Sequence, residues 1–316
     1  MLCVLLCVCM TAAAVAESLV PGGSALGIRM RTDGVLVSDT RDVETPSGKV
    51  SPAREAGIKR GDVIVRVGET AIGTAEDLKN AVRSLSGEKI KVTLMRGDDE
   101  KTVTLTPAKD RSGAWRLGLL LRDEVCGVGT LTFYDPETGV YGALGHSISL
   151  DGGDPVPIGG GEIRSARITG IVPGKAGAPG QLDGESDGVS YLGDIRVNCA
   201  NGIFGRADID GATLETGEMK KGAAKLRCTL SDNTMHDYTV EIKKIFSSSA
   251  GTAAVVTVTD PELIARTGGI VQGMSGSPII QNGCLVGAVT HVFVNDPTSG
   301  YAISIQDMLT QARKCA

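Results

Sequence analysis

The chain has few of the residues that aromatic cores, metal centres and nucleic-acid surfaces draw on. Its 316 residues include only four Phe, five Tyr and one Trp, so buried packing must come from Val, Ile, Leu and Ala. There is no excess of positive charge: 32 Lys+Arg stand against 37 Asp+Glu, which excludes the electrostatic footprint of a nucleic-acid binder. Cysteine is present but not paired by spacing. Cys3, Cys7 and Cys9 lie in the first sixteen residues, and Cys126, Cys199, Cys228, Cys284 and Cys315 are scattered, odd in number and without a Cys-x-x-Cys pair. That pattern argues against a zinc site or a disulfide framework and fits small buried apolar side chains. Histidine is scarcer still, at three. No apolar run is long: Met1 to Ala16 is apolar throughout, ends in Ala14-Val15-Ala16 and lacks a basic start. At about 15 residues its core is shorter than the roughly 20 needed to span a bilayer. It reads as an export segment, either a cleaved signal or an uncleaved anchor, with a buried N-terminal strand as the plain alternative.

What is abundant is glycine, 43 residues of it, which predicts a turn-rich, mainly β chain. From about Pro21 to Ala108 one compact pattern runs. Gly34-Val35-Leu36-Val37 alternates as a strand, and Ser51-Pro52-Ala53-Arg54-Glu55-Ala56-Gly57 reads as a short helix capped by serine and closed by glycine. Thr74 to Leu85 is helical, capped by Thr74, with Leu78, Val82 and Leu85 on one face. Lys89–Leu94 and Lys101–Leu105 form a closing hairpin. The order resembles a PDZ domain of the permuted type found on bacterial envelope proteases. Ala56-Gly57-Ile58-Lys59-Arg60-Gly61-Asp62-Val63-Ile64 carries that resemblance. It implies that Ala25-Leu26-Gly27-Ile28 is the loop whose backbone N–H groups receive a peptide C-terminus. A small α+β domain without peptide binding is the bland alternative.

The charged stretch Lys109-Asp110-Arg111-Ser112-Gly113 reads as a linker. Beyond it, short β runs such as Gly129–Phe133, Val255–Thr259 and Cys284–Val294 are separated by turns, which predicts a barrel or a pair of barrels. Only Ile305–Lys314 reads as a helix. The expected division is 1–19 export segment, 20–109 PDZ domain and 110–316 a second, β-barrel domain.

Within that second domain lies Gly273-Met274-Ser275-Gly276-Ser277-Pro278. A serine becomes a nucleophile when its backbone is sharply turned, a base stands beside it and N–H donors face the developing oxyanion. Gly273 permits the turn, so that the N–H groups of Gly273 and Ser275 can converge; an ordinary Gly/Ser/Pro turn is the alternative. Of three possible bases, His146 sits among small neighbours in Gly142-Ala143-Leu144-Gly145-His146-Ser147. His236 reads as an exposed turn residue. His291, just 16 residues after Ser275, suits a cleft wall better than a base. The acid that fixes the imidazole could be Asp260 or Asp194, although Asp260 before Pro261 also reads as a helix cap.

These stretches resemble the stage IV sporulation protein B (SpoIVB) peptidases. The resemblance is carried by Gly127–Phe133, Ala143-Leu144-Gly145-His146, Thr259-Asp260-Pro261-Glu262-Leu263, Gly287–Val292 and above all Gly268 through Pro278. After the histidine the chain reads Ser147-Ile148-Ser149-Leu150-Asp151, where the family pattern has a glycine. The resemblance implies a membrane-insertion segment, a PDZ domain and a chymotrypsin-like double barrel, with Ser275 as nucleophile, His146 as base and Asp260 as essential acid. No metal or organic cofactor is implied. It further implies an exported serine endopeptidase in the space between forespore and mother-cell membranes. Such an enzyme cleaves itself and a membrane-bound regulator of an intramembrane protease, so activating a late sigma factor. Two other readings stay open: an adaptor with an inactive protease-like domain, and a general envelope quality-control protease.

Overall fold

The computed structural model describes residues 17–150, 154–249 and 251–315; the leader Met1–Ala16 and Asp151 lie outside the described residues. Two long strands, Ala25–Thr40 and Leu119–Asp135, organise the molecule. They run antiparallel to one another from Leu119 opposite Thr40 to Thr130 opposite Ala25. Between Ile28 and Asp33 the first strand alternates: Ile28, Met30 and Thr32 are buried, Arg29, Arg31 and Asp33 exposed. That is the period a strand with one wet face requires.

At one end the long pair belongs to a PDZ-like body. The strand Val63–Val67 adds to Val35–Leu36, and the hairpin Ile90–Arg96 with Asp99–Leu105 extends the sheet. Val35, Val37, Ile64, Val92 and Leu94 pack with Leu78 of the helix Ala75–Arg83 into one core. Thr74 caps that helix reciprocally with Asp77, as expected. Asp62, almost wholly buried, is held by Arg96 through two 2.7 Å hydrogen bonds and by the Lys59 N–H. Ser51 does not cap the short helix Pro52–Glu55; its hydroxyl donates to Asp42 at 2.5 Å instead.

The other end is the peptidase-like body, mainly β as expected. Six strands between Gly222 and Ser304 close into a barrel around Leu226, Val240, Val256, Val286 and Ala302. Its companion is a sheet in which Val140–Ala143, Gly202–Arg206, Gly160–Val172 and Gln181–Asp194 flank the two long strands. The C-terminal helix Ile305–Ala312 seals the junction by burying Ile305, Met308 and Leu309 against Leu19, Phe133 and Phe204.

Three expectations change here. The stretch Lys109–Gly113 is a tight turn rather than a linker. Ala108–Lys109 pairs with Trp115–Arg116, and the Asp110 carboxylate collects Ser112, Ala114 and Arg116. The two domains share strands, since both long strands run from the PDZ-like core into the peptidase-like sheet. Ser18–Pro21, divided between leader and PDZ domain by the sequence, pairs at Val20 and Pro21 with Tyr134 and Phe133 in the peptidase-like body. The third change concerns Ala25-Leu26-Gly27-Ile28. These residues form no open loop. One backbone edge pairs with Gly127–Thr130 and, from Leu26 to Ile28, the other pairs with Ile163–Ser165. A strand with both edges filled has no free N–H row to offer a peptide.

Candidate active site

The chain approaches Ser275 through a capped helix. Asp260 starts the helix Pro261–Thr267: one carboxylate oxygen accepts the N–H groups of Glu262 and Leu263, the other the N–H and hydroxyl of Thr239. Burial, the largest single influence, pushes its pKa up, but the hydrogen bonds from Thr239, Leu263 and Glu262 to the charged form together outweigh it and hold the value below the usual carboxylate range. Gly268, left-handed at φ 74°, ends the helix. Gln272 is then pinned, its N–H to Gly180 O and its carbonyl to Leu182 N–H.

The turn that follows uses two glycines at positive φ, Gly273 at 96° and Gly276 at 92°, a region that L side chains resist. Within it Met274 N–H donates to Val271 O, Gly276 N–H to Val289 O and Ser277 N–H to Met274 O. The N–H groups of Gly273 and Ser275 have no acceptor among the described residues. These are the two donors singled out from the sequence. The Ser275 hydroxyl, half-buried, donates to Thr290 O at 2.8 Å.

The long strand Leu119–Asp135 grips this turn from the other side. Thr130 donates its N–H to Ser275 O at 3.0 Å and its hydroxyl to Gly273 O at 2.8 Å, while the Thr132 hydroxyl donates to Gly276 O at 2.7 Å. Both threonines are buried, and sequence reasoning passed them over as ordinary strand residues. The available signal was the spacing in Gly129-Thr130-Leu131-Thr132-Phe133. Two hydroxyls two residues apart share one strand face, and buried hydroxyls need acceptors.

His146 reaches the same place from the strand Val140–Ala143. Leu144 and Gly145 are both left-handed at φ 70°, and this double turn throws His146 off the strand end. A left-handed leucine costs about 1 kcal/mol or more, so the turn is held by its surroundings. Those surroundings are the Ser275 segment: a Cβ on Gly276 would lie 2.4 Å from Leu144 N and 2.2 Å from Thr130 O. The segments carrying His146 and Ser275 therefore pack backbone to backbone.

The imidazole is half-buried, and its Nδ1 lies 2.8 Å from Ser147 O. A carbonyl oxygen only accepts, so Nδ1 carries the proton and Nε2 keeps its lone pair. His291 stacks on the ring with centroids 4.6 Å apart. Burial lowers the pKa of His146; the Ser147 carbonyl opposes that, and the neighbouring His291 reinforces it. Burial lowers His291 as well. His146 is therefore neutral at pH 7, as a general base must be.

Among the described residues no acid is hydrogen-bonded to the His146 ring. Asp260, expected to hold the imidazole, has both oxygens committed to its helix cap and to Thr239. Its helix-capping alternative is the role the structure assigns it. The rival Asp194 is bound to Arg196 and the Arg206 N–H. His236 pairs with Asp232 at 3.3 Å on the barrel surface. Beside the turn opens a cleft of about 440 Å³ lined by Val128, Thr169, Leu182, Asp183, Gln272 and Gly273.

Known proteins resemble this chain in parts. The curated serine protease HTRA2 of Bos taurus is 42% identical over 57 residues, 18% of this chain and 12% of that one. A serine protease Do-like HtrA of Lactococcus lactis is 34% identical over 101 residues, 28% and 25% of the two chains. The chain spans a quarter or less of the length of these relatives. Among solved structures, the PDZ domain of the SdrC-like protein of Listeria monocytogenes is 24% identical with a TM-score of 0.24, covering 29% of this chain and 90% of that one. The Rv3671c protease of M. tuberculosis in its active form is 14% identical, with a TM-score of 0.37 and coverages of 61% and 75%. A PDZ domain model matches residues 24–106, and a SpoIVB peptidase S55 model matches residues 113–309, the part that holds His146 and the Ser275 turn. With that match spanning well over half of the sequence, the chain belongs to the SpoIVB peptidase S55 family and carries a PDZ domain.

Proposed function

We propose that this serine peptidase works through Ser275 as nucleophile and His146 as general base, with the N–H groups of Gly273 and Ser275 as oxyanion donors. The observation that carries this reading is the pair of free N–H groups in a turn packed directly on the histidine turn. In the resting state the Ser275 proton goes to Thr290 O. Attack requires a rotation about its Cα–Cβ bond that gives that proton to His146 Nε2. As the hydroxyl oxygen bonds to the substrate carbonyl carbon, the oxyanion falls between the two N–H donors, each worth about 3 kcal/mol. His146 then protonates the departing amine and, in the second half, removes a proton from water. The Ser147 carbonyl does the orienting usually assigned to an acid, and Asp260 acts indirectly, by fixing the helix that leads into the turn.

The biological setting is also part of the proposal. An exported or membrane-anchored enzyme that cuts itself and one membrane-bound regulator during sporulation is supported by the family to which the chain belongs and by the apolar run Met1–Ala16.

A fluorophosphonate probe tests the chemistry on the intact chain. One label is expected, mapped to Ser275 by mass spectrometry. Because burial lowers the His146 pKa, the base stays neutral to below the ordinary histidine value of about 6.5. The labelling rate is therefore flat near pH 7 and falls as pH drops through that lowered pKa. An unlabelled folded chain would favour the adaptor reading.

A further inference from the structure

We propose that an aromatic shelf made by Tyr301, Phe293 and Phe246 is a specificity subsite of the peptidase, holding one apolar side chain of the substrate within about three residues of the cut. The inference rests on the reading of Ser275 and His146 as nucleophile and base, and names what that pair prefers to cut. Aromatic residues are rare in this chain, with four Phe among 316 residues. Phe133 and Phe204 are buried in the core. The other two meet on the outside of the barrel, around one tyrosine. Phe293 packs edge-on against Tyr301 with ring centroids 4.7 Å apart, and Phe246 lies edge-on at 6.1 Å from the same ring. Tyr301 is nonetheless 44% exposed, and Val294, next to Phe293, 53%.

The occupant follows from where the shelf begins. The strand Cys284–Phe293 pairs with Asp296–Ser304. Between the pairs Val289–Ala302 and Val292–Gly300, the first strand has two residues, Thr290 and His291, where the second has only Tyr301. A bulge of this kind re-aims side chains and is common beside active sites. Both bulge residues touch the catalytic pair. The Thr290 carbonyl accepts the Ser275 hydroxyl at 2.8 Å, and the His291 ring stacks on His146 at 4.6 Å. The residue opposite them is the exposed tyrosine. The turn that carries His146 leans on the same two strands: a Cβ on Gly145 would lie 3.0 Å from the Thr290 methyl and 3.3 Å from Ile303 Cγ2. Ile303 and Tyr301 stand two apart on one strand, so they share a face about 7 Å apart. Ile303, under the histidine turn, is buried, and Tyr301 is left in the open.

The shelf is therefore continuous with the catalytic centre. Tyr301 stands one strand spacing, about 4.8 Å, from a bulge that itself touches Ser275, and an extended chain advances about 3.3 Å per residue. A substrate with its scissile carbonyl at Ser275 brings a side chain two or three residues away over the Tyr301 ring. The charged neighbours of the shelf are already engaged. Lys244 lies over the Phe246 ring at 5.7 Å, and the Asp296 carboxylate, opposite Phe293, accepts the N–H and hydroxyl of Thr298. What remains for a substrate is ring surface, which rewards Phe, Leu, Ile or Met and offers little to a polar side chain.

The test uses the full chain as wild type, Tyr301→Ser and Tyr301→Lys, incubated with a synthetic peptide library randomised at every position, the cuts being mapped by mass spectrometry. At one position within about three residues of the cut, wild type is expected to favour Phe, Leu, Ile or Met over Gly or Ser by about tenfold in kcat/KM, the discrimination that one apolar contact supports. Tyr301→Ser should reduce that ratio to about twofold. Tyr301→Lys should turn the preference at the same position toward Asp and Glu, a gain that poor folding cannot produce. Fluorophosphonate labelling of Ser275 in wild type keeps the two readings apart. A labelled enzyme with no apolar preference near the cut, or with one that Tyr301→Lys leaves unchanged, overturns the subsite and leaves the catalytic pair standing. An unlabelled enzyme overturns both. Size-exclusion chromatography reads the other occupant: a wild-type dimer that Tyr301→Lys dissolves, with cleavage preference unaltered, would assign the shelf to a second copy of the chain and overturn the proposal.

Discussion

Replacing His146 with alanine is expected to lower kcat/KM on a peptide substrate about 10⁵-fold, the scale on which loss of a base disables a serine nucleophile. The fold should survive, because the histidine is only half-buried and its one hydrogen bond is to its neighbour's carbonyl. The informative partner is Asp260→Asn. If Asp260 held the imidazole, the amide would impose the wrong tautomer and cost about 10⁴-fold. The structure predicts a loss of less than about tenfold. An asparagine oxygen still caps the Glu262 and Leu263 N–H groups, and only the Thr239 contacts, made with the other oxygen, are compromised. Asp260→Ala removes the cap as well and should cost about 1–2 kcal/mol of stability. Denaturant unfolding run beside the kinetics separates the two effects. A 10⁴-fold loss in a fully folded Asp260→Asn enzyme would restore the acid to the site.

That comparison bears on what the sequence could reveal. The tight backbone around Ser275 and His146 was legible because its constraints are local. A glycine before the serine and small residues before the histidine announce tight backbone, and three histidines leave few choices. Helix and hairpin limits in the PDZ-like region were legible for the same reason: capping by Thr74 and the turn between Arg96 and Asp99 are decided within a few residues. Asp260 was readable both ways, and the helix cap announced by its local signature, an acid before Pro261, is present. Strand partnership was not local. Nothing in Ala25-Leu26-Gly27-Ile28 declares that its edges are filled by Gly127–Thr130 and Ile163–Ser165, more than 95 residues away. Equally, the hydroxyls of Thr130 and Thr132 acquire meaning only when their strand meets the serine turn.

The shared strand explains why two domains so distinct in sequence are one structure. Leu119–Arg122 pairs with Leu36–Thr40 in the PDZ-like body, and eleven residues after Leu119, Thr130 holds both Ser275 O and Gly273 O. At about 3.3 Å per residue the two places are some 36 Å apart along one strand.

Gly276→Ala should be among the most damaging single methyls in the peptidase-like body. The residue sits at φ 92°, and its added Cβ would lie 2.2 Å from Thr130 O, 2.4 Å from Leu144 N and 2.9 Å from Leu144 Cα. All three are backbone atoms, so no rotamer change relieves the overlap; the Ser275 turn must move away from the His146 turn. That movement strains the Gly276 N–H bond to Val289 O and the Thr132 bond to Gly276 O. Strain at positive φ alone costs about 1–2 kcal/mol, and overpacking about 1–3 more, so a total loss of about 3 kcal/mol is expected. In the molecules that remain folded, displacing nucleophile from base by about 1 Å should cost about a further 10²-fold in kcat/KM. Gly283→Ala is the control: its φ of 82° carries the same backbone strain, yet a Cβ there meets nothing within 4 Å. It should lose about 1–2 kcal/mol and keep full activity per folded molecule. Equal behaviour of the two variants in unfolding and in kinetics would mean that the two turns do not depend on close backbone contact at Gly276.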